Sequence, residues 1–165
     1  KDSFIQEEYS IHLNKTSFNI SNELENMVTS YIPIYQKENY KLTSSIEKDI
    51  EVVMDLDKFK QIISNLLSNS LRYLKDDGIV SIDLKEYQNS IKLTVHDNGI
   101  GIREEDLKNI FERFYRVDTS RNKSTGGSGL GLPIVKSIVE AHKGTISFKS
   151  QYGFGSVVEI ILPKK

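Results

Sequence analysis

The chain has no cysteine, so disulfides, thiolate nucleophiles and cysteine-ligated metals are excluded. No run approaches the 18 apolar residues of a membrane span, and no signal peptide is visible. A net charge of -1 gives no broad electrostatic footprint for nucleic acid, and none is expected as a partner. The three histidines, His12, His96 and His142, are scattered, with no two at metal-ligand spacing; each is read as a satisfied structural or surface side chain. There is no internal repeat and no low-complexity tract. What is present is an ordinary soluble balance, 38% hydrophobic and 27% charged, over 165 residues, enough for one core without staples. The chain starts at Lys1 without a Met and is read as a fragment of a longer protein.

The stretch around Gln61–Tyr73 organises the rest. It reads as a helix starting near Asp57, capped by Asp55 or Asp57 and stopped by Asp76-Asp77-Gly78. Ile63, Leu67, Ser70 and Leu74 fall on one side, flanked by Phe59, Leu66 and Leu71. Asn65, Asn69, Arg72 and Tyr73 fall on the other. Amide oxygens can ligate a hard cation, Arg can grip phosphate and a Tyr ring can stack on a base. On this helix alone, a ligand face and a plain polar face are equally open.

Upstream, Ile11, Leu13 and Phe18 are spaced like an edge strand, and a helix over about 21–36 follows, with Asn22 and Glu25 at capping-box spacing. Pro33 is expected to bend that helix or end it early. Residues 40–46 and 51–54 read as short strands. Beyond the organising helix, alternation predicts a hairpin over 79–85 and 91–95. A helix over 104–114, a loop over 117–128, a helix over about 130–142 stopped by Gly144, and closing strands over 145–150 and 156–162 complete the chain. The last four strands read as two antiparallel pairs, which argues against a fully parallel sheet.

Two glycine-rich stretches carry chemistry. Asp97-Asn98-Gly99-Ile100-Gly101 follows a strand, and Asp97 could accept a hydrogen bond from an amine such as that of adenine; an ordinary Asp-Asn-Gly turn is the alternative. Gly126-Gly127-Ser128-Gly129-Leu130-Gly131-Leu132 opens a helix, where free N–H groups make an anion site, and Leu130 and Leu132 would anchor the backbone. A dinucleotide fingerprint is excluded because position 132 is Leu, and a P-loop because Gly-Lys-Ser/Thr is absent.

In this order, these motifs resemble the catalytic and ATP-binding domain of bacterial sensor histidine kinases, of the Bergerat superfamily, over about 18–163. The N box resembles residues 65–73, the G1 box 97–101, the F box Phe111-Glu112-Arg113-Phe114-Tyr115-Arg116 and the G2 box 127–132; Gly153-Phe154-Gly155-Ser156 resembles the glycine turn between the last two strands. The resemblance implies an α/β two-layer sandwich, a mixed five-stranded sheet with three main helices on one face. It implies residues 1–17 as an arm and 18–165 as the ATP-binding domain, with 117–128 as a lid. It implies that Asn69 ligates Mg²⁺ on ATP, Asp97 reads the adenine amine, Arg72 contacts phosphate and Tyr73 packs by adenine and ribose. Gly99, Gly101, Ile102, Gly127, Gly129, Leu130, Gly131 and Leu132 would complete the nucleotide site, with Arg116 near the γ-phosphate.

ATP-hydrolysing relatives of that fold, such as gyrase and MutL, carry a Glu one helical turn before the Mg²⁺-binding Asn. Here the position is Asn65, and an amide cannot take a proton from water at neutral pH. Asn65 and Arg116 are therefore the expected catalytic residues of a domain that orients the γ-phosphoryl for another acceptor. The expected acceptor is a His on a separate helical dimerisation domain, from which the phosphoryl passes to a response regulator. None of the three histidines has the acceptor's context; His96-Asp97 has the pair but is expected inside the nucleotide site. The fragment is expected to be monomeric and cytoplasmic, its parent a homodimeric membrane sensor. The alternative is a module of the same fold with another output, such as a protein serine kinase.

Overall fold

The computed structural model describes residues 11–112 and 131–165. The organising helix comes first in importance. It is α2, Leu56–Arg72, preceded by β1 (Thr16–Asn19), α1 (Ile20–Lys37), β2 (Lys41–Ile46) and β3 (Glu51–Met54). After it come β4 (Ile79–Glu86), β5 (Ser90–Asp97), the short α3 (Glu104–Leu107), α4 (Leu132–Ala141), β6 (Thr145–Gln151) and β7 (Gly155–Pro163).

The main sheet has five strands in the order β2-β4-β5-β7-β6. β2 and β4 are parallel, because α2 crosses between them, and every other pair is antiparallel. This is the expected mixed sheet. Period-2 alternation sends Val80, Ile82, Leu84, Leu93, Val95, Val158, Ile160 and Leu162 into the core. α1, α2 and α4 pack on that core, and α2 touches both other helices. β1 forms a separate antiparallel pair with β3, so the expected boundary between 17 and 18 falls inside a strand. Only Phe18 of the expected edge-strand residues belongs to it; Ile11 and Leu13 lie outside regular structure but described, and half-buried.

Three local readings are corrected. The N-cap of α1 is Asn19, whose side chain accepts from the Asn22 N–H at 3.0 Å, so Asn22 donates rather than caps. Pro33 does not end α1, which runs on to Lys37; Pro33 and Thr29 are both exposed, so water can satisfy the carbonyl that the missing N–H leaves. At the end of α4 the left-handed residue is Lys143, at φ 64°, not Gly144. Gly144 is demanded by space, since a Cβ there would run into the Ile161 carbonyl and the Leu162 side chain.

Asp55 caps α2 and does more. Its Oδ1 accepts from the Lys58 N–H at 3.0 Å, and its Oδ2 accepts from the Asn14 N–H at 2.8 Å. Its own N–H donates to Nε2 of buried His142 at 3.1 Å, while Nδ1 of that ring donates to the Ile138 carbonyl at 2.9 Å. Both ring nitrogens are thus used by a neutral imidazole, a satisfied structural histidine. Burial disfavours the Asp55 carboxylate, but the Asn14 and Lys58 N–H groups outweigh it and hold the carboxyl below its ordinary range. A lowered folded value stabilises above the unfolded value of about 4, and that stabilisation is lost as pH falls through the folded value. An asparagine can still cap with its one oxygen but leaves the Asn14 or the Lys58 N–H without an acceptor, so Asp55→Asn is expected to cost roughly 1–2 kcal/mol at pH 7. Urea unfolding from pH 7 to pH 3 should show the wild-type advantage shrinking toward zero at the acid end.

Candidate nucleotide site

Two residues of the polar stripe, Asn69 and Tyr73, open on a pocket at the end of the sheet, and Asn65 and Arg72 are not in its lining. Leu66, Asn69, Ser70 and Tyr73 line it from α2, at spacings of three and four residues that place them in one row. Asp97 closes it from the end of β5, Ile102 from the following loop, Phe148 from β6, and Ser156 and Val158 from β7. Strand register brings these together, for Asp97 pairs with Val80 on one side and Ser156 on the other.

Asp97 is 7% exposed, on the core side of the sheet. Its Oδ1 accepts from the Gly99 N–H at 2.8 Å. Burial nevertheless pushes the carboxyl above its ordinary range, against the Gly99 N–H, the nearby His96 and the Ser156 backbone, all of which favour the charged form. This is an acceptor held in a fixed direction in a site poor in water. His96, one residue earlier, is exposed, because alternation turns it to the opposite face. The expectation that it lies inside the site is corrected: it sits at the strand end but faces away.

The loop after Asp97 docks tightly. The Ile100 N–H donates to the Tyr73 carbonyl at 3.0 Å, and the Gly153 N–H donates to the Ile100 carbonyl at 2.6 Å. A Cβ on Gly99 would run into the Tyr73 carbonyl, and one on Gly155, at φ 130°, into the Asp97 carbonyl. Both glycines are therefore required for close backbone approach beside Asp97. Asn98 anchors the loop from behind, accepting from the Ile79 N–H at 2.8 Å and donating to the Asp77 carbonyl at 3.1 Å.

Asn69 Oδ1 is buried and has no hydrogen-bond partner among the described residues. An orphaned amide oxygen in a pocket wall is a position for a hard cation or a ligand donor. Among the described residues no group of three or more His, Asp or Glu converges to hold a metal. Asn65 lies beside Gly131, the left-handed residue that opens α4, with its Cγ 3.6 Å from where a glycine Cβ would be. The structure thus brings the N-box amide against the last glycine of the G2 box. Leu132 is fully buried at the start of α4, and Pro133 follows it in the first turn.

Arg72 is half-buried in the last turn of α2. Tyr73, expected with the polar residues, is 7% exposed and turns inward as the C-cap of α2, packing against the core as well as lining the pocket. Gly101 is buried at φ 74° in the docked loop. The helix expected over 104–114 is only α3, followed by turns; Phe111 packs on the core with the Lys136 ammonium 5.3 Å from its ring centre. Arg116, Gly127, Gly129, Leu130 and the loop over 117–128 lie outside the described residues. Sequence reasoning missed Ser156, Phe148 and Val158 as wall residues and placed Leu66 and Ser70 in the core alone. Only the glycine turn before Ser156 signalled that end of the pocket.

Comparison with known proteins places this geometry. The family described as histidine kinase-, DNA gyrase B-, and HSP90-like ATPase matches residues 54–165. The sensor histidine kinase WalK of Bacillus subtilis is 42% identical over 121 residues, 72% of this chain and 20% of WalK. The signal transduction histidine-protein kinase BaeS of Escherichia coli is 40% identical over 130 residues, 78% of this chain and 28% of BaeS. The chain spans less than a third of the length of either. The solved catalytic domain of histidine kinase ThkA superposes with a TM-score of 0.79 at 25% identity, over 92% of this chain and 98% of that one. ThkA has also been solved in complex with the response regulator protein TrrA. With the expected mixed sheet, the buried Asp97 and the docked glycine loops in place, the chain belongs to the histidine kinase-, DNA gyrase B-, and HSP90-like ATPase family.

Proposed function

We propose that this chain binds Mg-ATP and delivers its γ-phosphoryl to a histidine on a separate helical domain, the catalytic step of two-component signalling. The observation that carries this reading is the pairing of a buried carboxylate, Asp97, with a pocket face of α2 that bears no acid. Asp97 would accept from the adenine amine. Asn69 Oδ1 fits Mg²⁺, because it is a buried oxygen without a partner among the described residues, and phosphate oxygens and water would supply the remaining ligands. When bound, Mg²⁺ neutralises charge on the phosphates; Arg72 and Arg116 would add positive charge there, and the amides of Gly127, Gly129 and Gly131 would hold the phosphates. Asn65 holds no proton-accepting group, so water beside the γ-phosphate is not activated.

The named partners follow from this reading: a helical dimerisation domain that carries the acceptor and makes the parent a dimer, and a receiver domain downstream. Residues 18–165 would form the catalytic domain and 1–17 the arm leading to it. No helix among the described residues is long and apolar enough to cross a membrane. The domain would work on the cytoplasmic side, where ATP is, in a membrane sensor. His142 is buried with both nitrogens used, His96 is exposed on a strand and His12 lies outside regular structure, so none sits on a helix face open to a transfer site. The chain alone, given γ-labelled ATP and Mg²⁺, is expected to bind it, release phosphate slowly and take up no label. Robust self-labelling would sink the reading of an acceptor on another domain.

A further inference from the structure

Three tyrosines on α1 or just beyond it put their hydroxyls on α2 or its exit. Tyr31 Oη lies 2.8 Å from Ser64 Oγ, with Ser68 Oγ at 3.5 Å. Tyr35 Oη donates to the Leu67 carbonyl at 2.6 Å. Tyr40 Oη donates to the Leu74 carbonyl at 3.4 Å, past the helix end. The three are not equal. Tyr31 meets side chains that can rotate, none of them fully buried, and the Tyr40 bond is long. Tyr35 is fully buried and grips the backbone of α2 itself. Burial, and after it the charge of Asp97, pushes its phenol up, so it stays a protonated donor.

Leu67 stands midway between Asn65 and Asn69, about 3 Å from each along the helix axis. Its carbonyl has two lone pairs, one for the ordinary helical bond from Leu71 and one for Tyr35. The helix therefore keeps its own bonding without Tyr35; what it loses is a fixed point against α1. Asn69 Oδ1 has no hydrogen bond among the described residues, so the placement of α2 decides where that oxygen stands. We propose that Tyr35 is a positioning residue for the metal side of the pocket: its hydroxyl sets the height of α2 along α1 and, with it, the place of the Asn69 oxygen.

This inference rests on the Mg-ATP reading. The test is calorimetry of ATP on the whole chain, with Mg²⁺ and with the metal chelated. Tyr35→Phe keeps the ring and removes the donor. It is expected to narrow the ratio of the two affinities about fivefold, less than loss of a ligand's direct partner, and to leave the chelated value unchanged. Replacing Tyr35 by 4-aminophenylalanine, which restores a donor, is expected to restore the ratio. Tyr31→Phe is expected to leave it alone. In the nucleotide-free chain, the side-chain NH₂ resonances of Asn69 should move in Tyr35→Phe and not in Tyr31→Phe. Equal losses with and without Mg²⁺, the same loss in Tyr31→Phe, unmoved Asn69 resonances, or a Tyr35→Phe chain that does not fold would each reduce Tyr35 to a packing or stability element and overturn the proposal. Wild type whose ATP affinity ignores Mg²⁺ would overturn the metal reading instead, and the Asn69 resonances would still report on the link to Tyr35.

Discussion

Asp97→Asn is expected to lower ADP affinity by about 100-fold or more while leaving the fold intact. A backbone donor, the Gly99 N–H, already holds this side chain at 2.8 Å. An asparagine has a single acceptor oxygen, and that donor would claim it. Its NH₂ would then face the adenine amine, donor against donor. The stability of the nucleotide-free domain should move the other way. Burial raises the folded carboxyl above its unfolded value, so ionised Asp97 subtracts stability as pH rises through that window. The neutral amide escapes that penalty at pH 7. Calorimetry and thermal unfolding on the same preparation check both halves. A variant that binds poorly because it is unfolded would show the opposite shift.

Asn69→Ala is the second large effect, again with opposite signs for function and stability. Removing the buried, unpartnered oxygen and placing the best helix former in α2 should stabilise the nucleotide-free domain by roughly 1 kcal/mol. The Mg²⁺-dependent part of ATP affinity should fall by about 10–100-fold, to the level wild type shows when the metal is chelated. Chelation should then change little in the variant. Wild type whose ATP affinity is indifferent to chelation would remove Asn69 from metal binding.

The architecture was legible where it is local. α2 announced itself by its apolar period and by Asp55, and the hairpin β4–β5 by strict alternation. The family boxes were legible because each is a short run. What was not legible depends on register. Ser156 reaches Asp97 only because β7 pairs with β5 across 59 positions, and nothing near Ser156 states that pairing. The His142–Asp55 bond, spanning 87 positions, is hidden for the same reason. Tyr73 lines the pocket with Asn69 as expected, but its burial was not legible because a helical wheel assumes helical geometry, whereas Tyr73 is the cap at which the helix ends. Gly144 was read as a helix stop when tertiary contact with β7 decides it. Local propensity located the elements; long-range pairing completed the pocket wall.

Under the proposed function the distinction from an ATPase turns on Asn65, whose amide lies beside Gly131 and cannot take a proton from water. The most direct measurement mixes the chain, γ-labelled ATP and Mg²⁺ with the helical dimerisation domain of WalK, a relative 42% identical in the aligned region. Label is expected on that domain as an acid-labile, base-stable phosphohistidine, with slow release of free phosphate. Acid-stable label on serine, or rapid phosphate release with no labelled protein, would contradict the account.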